Sequence, residues 1–406
     1  MRALTRVAIA LTLGASSTVA TADPEKGDGF VISGSEVAEI ARLARKGVQP
    51  ERDLANRIIS DADDAWPFGW VGKRFGTVRN DSGSKRCVRL DDTKTEHILT
   101  QSAHRIYAKA LAYNLTGEGV FAKQARSLLM SFAGSSGFNE VDGTANYTGA
   151  NQCALDLSLF LPLMIDAAIL LERYPGWNPY HKDKLQRWLA DVPYKTTAAI
   201  ARTRKNNWGN AAAFASWSIG HYLQDTGLKL EEVYPDQRVL SAREARDAHL
   251  GTQINMMSTN WKGDSRCNVF GIQTDGGIPD ELRRGSTGCN GSFLAKKDGA
   301  YGYQIAAIRS LVYHAEAVRR HMDNELFKYG TVTGKPALQR AINFVIDNPT
   351  GQSHDWKSSE LGILRVASHA YPSKAMCVQL GKSKASYYRE SLYLPYTKMT
   401  RPQNNC

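Results

Sequence analysis

The chain has 406 residues, 42% of them hydrophobic and 22% charged, with a formal net charge of +11. This length suits one large helical domain or two domains. A positive excess of this size suits a polyanionic partner: nucleic acid, an anionic glycan or an anionic membrane surface.

The first residues read as an export signal. Arg2 and Arg6 form a positive n-region, Val7–Leu13 a short apolar core, and Ala20-Thr21-Ala22 a small-x-small cleavage site before Asp23. The apolar run is too short to span a bilayer. Residues 1–22 are therefore expected to be a signal peptide and 23–406 a single domain, periplasmic or secreted. Losing Arg2 and Arg6 leaves a charge of +9, and export directs that charge toward glycan rather than nucleic acid. Six cysteines (Cys87, Cys153, Cys267, Cys289, Cys377 and Cys406) suit up to three disulfides in an oxidising compartment, with Cys267–Cys289 the favoured pair. None forms a CxxC pair or a zinc-spaced cluster with His.

Residues 64–94 show little periodicity and are read as a loop. Trp66, Phe68, Trp70, Lys73, Arg74 and Arg79 mix aromatic and basic side chains there, which suits stacking on sugars and pairing with carboxylates. Lys73 and Arg74 are candidate substrate-binding residues. After residue 95 helical periodicity dominates. Ile98, Ala103, Ile106, Tyr107, Ala110 and Leu111 share one face of a helix over 97–115. Phe121, Ala125, Leu128, Leu129 and Phe132 do the same over 121–132. Further helices are expected at 153–173, 182–190, 207–224, 241–260, 301–322, 336–347 and 357–369. The stretch Cys153–Leu171 is the most apolar, but Asp156, Pro162 and Asp166 interrupt it, so it reads as a buried core helix. Residues 262–300 are Gly-rich and loop-like. The fold class is all-α: successive helices on short loops predict stacked hairpins, as a solenoid or a closed α/α toroid. A smaller unit after about residue 372 is the alternative to a single domain.

Two constellations carry possible chemistry. Arg204-Lys205-Asn206-Asn207-Trp208-Gly209-Asn210 precedes a helix of small and aromatic residues. One Asn caps a helix; a second beside it can donate hydrogen bonds to a bound carboxylate and stabilise extra negative charge there. The other constellation is Asp275-Gly276-Gly277-Ile278-Pro279-Asp280-Glu281-Leu282-Arg283-Arg284, followed by Tyr301-Gly302-Tyr303 at a helix start. Arg binds a uronate carboxylate in bidentate fashion, and Tyr moves a proton when a neighbouring cation favours its phenolate. Taken alone, the second reads as a turn, a surface arginine pair and two aromatic core residues.

In this order, Asn-Asn before a helix, then Asp-Gly-x-x-Pro-x-Glu-Leu-x-Arg, then Tyr opening a helix, the chain resembles the alginate lyase family and related polyuronate lyases. The segment Ala110-Leu111-Ala112-Tyr113-Asn114-Leu115-Thr116-Gly117 is similar to a helical hairpin of that family, and the resemblance spans roughly residues 95–330. It implies an incomplete α/α toroid and cleavage of a 4-linked, uronate-containing glycan by β-elimination. It also implies that Asn207, with Asn206, and Arg284 neutralise the substrate carboxylate. The family tyrosine, base and acid in turn, falls on Tyr303 if the helix is aligned without a gap and on Tyr301 otherwise. Two positions depart from the pattern. Trp208 stands where members acting on alginate commonly carry His, which makes it a substrate-contact candidate instead, and a Gly-rich insertion containing Cys289 separates Arg284 from the tyrosines.

The elimination is coherent chemistry in its own right. The C5 proton of a uronate is acidified by the adjacent carboxylate once developing enediolate charge is stabilised. His104, His221 and His314 are possible second bases, and His104 a candidate substrate contact, though each reads first as a helix-face or core histidine. The reaction calls for no metal or cofactor. Expected partners are an acidic polysaccharide, with no nucleic acid and no membrane, and the protein is expected to be a monomer. Two other classes compete: a glycoside hydrolase on the same toroid, drawing a carboxylate pair from Asp275, Asp280 and Glu281, and a non-catalytic binder of acidic glycan.

Overall fold

The computed structural model describes residues 27–63, 75–79, 85–89, 98–133, 152–258, 271–282, 299–322, 324–347, 356 and 358–382. The helices are α1 (Gly34–Arg45), α2 (Glu51–Asp63), α3 (Ile98–Thr116), α4 (Gly119–Ala133), α5 (Gln152–Leu170), α6 (Pro179–Asp191), α7 (Pro193–Thr203) and α8 (Asn207–Leu223). They continue with α9 (Ala242–Met256), the single turn α10 (Pro279–Leu282), α11 (Gly299–His321), α12 (Ala337–Asp347), α13 (Ser358–Ala367) and α14 (Lys374–Gly381). Two antiparallel hairpins interrupt them: β1 (Phe75–Arg79) with β2 (Lys85–Arg89), Phe75 opposite Arg89, and β3 (Lys229–Glu232) with β4 (Arg238–Ser241), Lys229 opposite Ser241.

Local chemistry starts many of these elements. The Ser33 hydroxyl accepts the Glu36 N–H while the Glu36 carboxylate accepts the Ser33 N–H, a capping box repeated by Ser241 and Glu244 at α9. Pro179 and Pro193 occupy the first turns of α6 and α7, where a missing N–H costs nothing.

Packing follows an alternation along the chain. Helices α3, α5, α8, α11 and α13 contact one another in that order, while α4, α7, α9 and α12 lie against members of the series. This alternation of paired helices is an α/α toroid, as the family resemblance implies. Helix α8 touches α5, α7, α9 and α11 and is buried along almost its whole length, which its run of Ala, Gly and Ser permits. The span Ala154–Arg173 is long and apolar enough to cross a membrane by length and composition, yet it lies mostly buried inside the protein. Asp166 is buried in that helix, its Oδ1 accepting the Phe30 N–H at 2.5 Å.

Three expectations change. The region 64–94 is not a plain loop, because it contains the β1–β2 hairpin. Helices α1, α2, α7 and α14 add to those expected. The segment 271–282 of the expected Gly-rich loop is a tightly bonded turn ending in α10. Cys377 is disulfide-bonded; the favoured pair Cys267–Cys289 and the expected signal peptide lie outside the described residues.

Candidate active site

The start of α8 is built from three side chains with distinct tasks. Asn206 is the N-cap in an extended conformation, and its side chain accepts the Trp208 N–H at 3.0 Å. Asn207 begins the helix, and its main-chain N–H is taken by Glu281 Oε1. The Asn207 side chain is 9% exposed, and its Oδ1 is buried with no hydrogen-bond partner. The capping reading therefore holds for Asn206, while the Asn207 amide is surplus to capping. Gly209 permits the tight entry: a Cβ there would lie 1.9 Å from the Arg204 carbonyl oxygen.

Trp208 turns toward α5 and α7. Its half-buried ring packs against the cluster of Ala154, Ile200, Ala201, Ala212 and Ala213, and the Arg204 guanidinium lies 5.7 Å from the ring centroid.

The segment 271–282 reaches this helix start through a set of main-chain bonds. Asp275 Oδ1 accepts the Gly277 N–H at 2.9 Å, and Gly276 has φ +99°, with room for no side chain because a Cβ would lie 2.1 Å from the Arg340 carbonyl oxygen. Arg340 of α12 donates to the carbonyls of Gln273, Gly330 and Lys335 at 3.1, 2.7 and 2.7 Å. Gln304 of α11 accepts the Ile278 N–H at 3.1 Å and donates to the Gly276 carbonyl at 3.2 Å. Asp280 and Glu281 are both buried.

Helix α11 separates the two tyrosines. Tyr301 is 2% exposed, with its ring 6.3 Å from that of Phe344 in α12; Tyr303 is 41% exposed. Only Tyr303 is open to a polymer in solution.

The histidines divide similarly. His314 is fully buried, both ring nitrogens without hydrogen-bond partners, and its ring stacks 5.2 Å from Phe214 and lies 5.0 Å from Trp217. Burial holds its pKa down to about 3. His221 sits at the far end of α8, about 21 Å from Asn207 at 1.5 Å per residue, stacked on Trp217 and held by burial at a pKa of about 3. His314 is a core residue, which corrects its candidacy as a second base; His221 is partly buried at the end of α8 remote from Asn207. His104 is buried on α3. Arg284, Lys73 and Arg74 lie outside the described residues.

The structure thus brings Asn206, Asn207 and Trp208 together with the segment carrying Glu281, and ties that segment to the turn of α11 bearing Tyr303. The role of Glu281 was not anticipated beyond the carboxylate-pair alternative, and that of Gln304 not at all. A lone Gln within an apolar helix gives no sequence signal.

Comparison with known proteins places this arrangement. The model of the alginate lyase family matches residues 64–247. Among solved structures, the chain is similar to an alginate lyase from Bacteroides ovatus (17% identity, TM-score 0.59, 89% of this chain and 97% of that one covered). It is also similar to alginate lyase A1-III from Sphingomonas species A1 (13% identity, TM-score 0.63, 94% and 98% covered). A variant of A1-III complexed with a tetrasaccharide matches at 12% identity and a TM-score of 0.60, with 94% and 98% covered. At these identities the likeness concerns the fold, an α/α toroid. No curated protein matches the chain.

Proposed function

We propose that this protein is a polysaccharide lyase that cleaves a 4-linked, uronate-containing glycan by β-elimination. The observation that carries the reading is the start of α8: Asn206 caps the helix and Glu281 takes the Asn207 N–H, so the Asn207 side chain is not used in capping and lies at a helix N-terminus, where anions are favoured. In the proposed reaction the substrate carboxylate receives hydrogen bonds from Asn207 and Arg284, which stabilise the enediolate that forms as the C5 proton leaves. The Tyr303 phenolate takes that proton. The electron pair then forms the C4–C5 double bond, and the glycosidic oxygen departs from C4 with the proton Tyr303 returns to it.

One residue doing both transfers requires the C5 hydrogen and the leaving oxygen on one face of the ring. Mannuronate and glucuronate have that relation, and guluronate does not. Trp208, an indole packed against alanines and covered by Arg204, offers no second proton acceptor at its position. The hydrolase reading is less well supported, since Asp275 and Glu281 hold main-chain N–H groups and Asp280 is buried. With a leader expected at 1–22, the proposed setting is the periplasm or the medium, with the protein acting as a monomer. Mass analysis of products tests the reaction class. Elimination gives oligosaccharides with unsaturated ends, each one water lighter than its hydrolytic counterpart; saturated fragments would establish a hydrolase, and an unshortened polymer a binding protein.

A further inference from the structure

We infer that Glu281 is a positioning residue for the elimination, fixing Asn207 toward the substrate carboxylate and coupling it to Tyr303. The inference rests on the lyase reading of this site and assigns a task to a residue outside the proton-transfer chemistry.

A fully buried carboxylate is costly unless charge or hydrogen bonds compensate it. Capping alone does not call for one here, because Asn206 already caps α8. The Asn207 N–H and the positive end of the α8 dipole are among the groups that compensate Glu281. By holding that N–H, Glu281 fixes the first residue of the helix and with it the position of the Asn207 side-chain amide. Its own turn is held in place in sequence: the N–H groups of Glu281 and Leu282 donate to the Ile278 carbonyl at 3.0 and 3.1 Å, and the Ile278 N–H donates to Gln304 Oε1. Gln304 follows Tyr303 directly on α11. A path of hydrogen bonds therefore runs from Asn207 through Glu281 and Ile278 to Gln304, the residue beside the proposed base, setting the spacing of two groups that must meet on one sugar.

The test compares Glu281→Gln, Glu281→Asp and Glu281→Ala by initial rates of unsaturated-product formation and by amide hydrogen exchange at the start of α8. Gln keeps the reach and an acceptor oxygen; Asp keeps the charge but is one methylene too short. Glu281→Ala and Glu281→Asp should lose about 100-fold in kcat, the scale of a misplacement near 1 Å, with KM nearly unchanged. Glu281→Gln should keep most of the wild-type kcat. A merely structural role would lower Tm without changing kcat per folded molecule. If Glu281→Ala fails to fold, the Asp and Gln pair still decides. Wild-type kcat in Glu281→Asp, or equal loss in Gln and Asp, overturns the inference. Should the wild type itself form no unsaturated product, the lyase reading fails separately. The exchange experiment then still decides the clamp: faster exchange at Asn207 in Glu281→Asp supports it, and unchanged exchange rejects it.

Discussion

Tyr301 and Tyr303 lie two positions apart on one helix, and their burial differs sharply: one ring is in the core against Phe344, the other reaches solvent. Residues at i and i+2 face different sides of a helix, so only one can serve the substrate. Tyr303→Phe should abolish elimination while leaving polymer binding intact, and Tyr301→Phe should keep most of the activity at some cost in Tm. Steady-state kinetics with a parallel binding assay checks this; activity retained in Tyr303→Phe would remove tyrosine from the mechanism. Asn207→Ala should lower kcat on the order of 100-fold or more with little change in KM, because its hydrogen bond strengthens only as charge develops. A raised KM with wild-type kcat would reduce Asn207 to a binding contact. At this scale the sequence was partly legible. Two adjacent Asn before a helix exceed what one cap needs, and the structure uses Asn206 as the cap. Glu281 was hidden because its partner is a main-chain N–H 74 residues away, and a main-chain partner leaves no mark in the residue types.

Helices announced themselves where their burial was one-sided or complete. Helices α3, α4 and α8 came out within a few residues of their expected ends, because apolar periodicity and Gly stops coincide there. Helix α1 carries a capping box and a clear polar face, and it lies between the expected leader and the Trp-rich stretch. The β1–β2 hairpin escaped because Lys and Arg occupy strand positions that usually hold β-branched residues.

Helix α11 also carries a pH-dependent element of stability. His314 is held neutral by burial, with a folded pKa of about 3 against the ordinary 6.5. The unfolded chain therefore binds the extra proton first, and the stability this histidine contributes is present above pH 6.5 and lost as pH falls toward 3. The slope is about 1.4 kcal/mol per pH unit across that window. His314→Phe, which keeps an aromatic ring against Phe214 and Trp217, should flatten the loss of stability in denaturant titrations between pH 6.5 and 4.5. An unchanged slope would show that His314 is protonated in the folded protein.

For the molecule as a whole, the net charge of +11 is the property most directly tied to a polyanionic substrate. Association of exposed charges weakens as the screening length falls from about 10 Å at 0.1 M salt to about 3 Å at 1 M. kcat/KM on polymeric uronan should fall steeply with ionic strength while kcat stays nearly constant; a flat kcat/KM would detach the charge from substrate capture. Successive helices on short connections left a solenoid and a toroid open, and the family resemblance implied the toroid, whereas the closeness of α8 to segment 271–282 left no sequence mark. That proximity is set by tertiary bonds from Gln304, Arg340 and Glu281, each to main-chain atoms.

The most direct measurement is ultraviolet absorbance of unsaturated sugar ends, followed as purified protein acts on mannuronan, glucuronan and guluronan. Elimination by a single tyrosine predicts rising absorbance with mannuronan or glucuronan, little with guluronan, and none from the Tyr303→Phe variant. Falling polymer length with no absorbance, or undiminished absorbance from Tyr303→Phe, would contradict it.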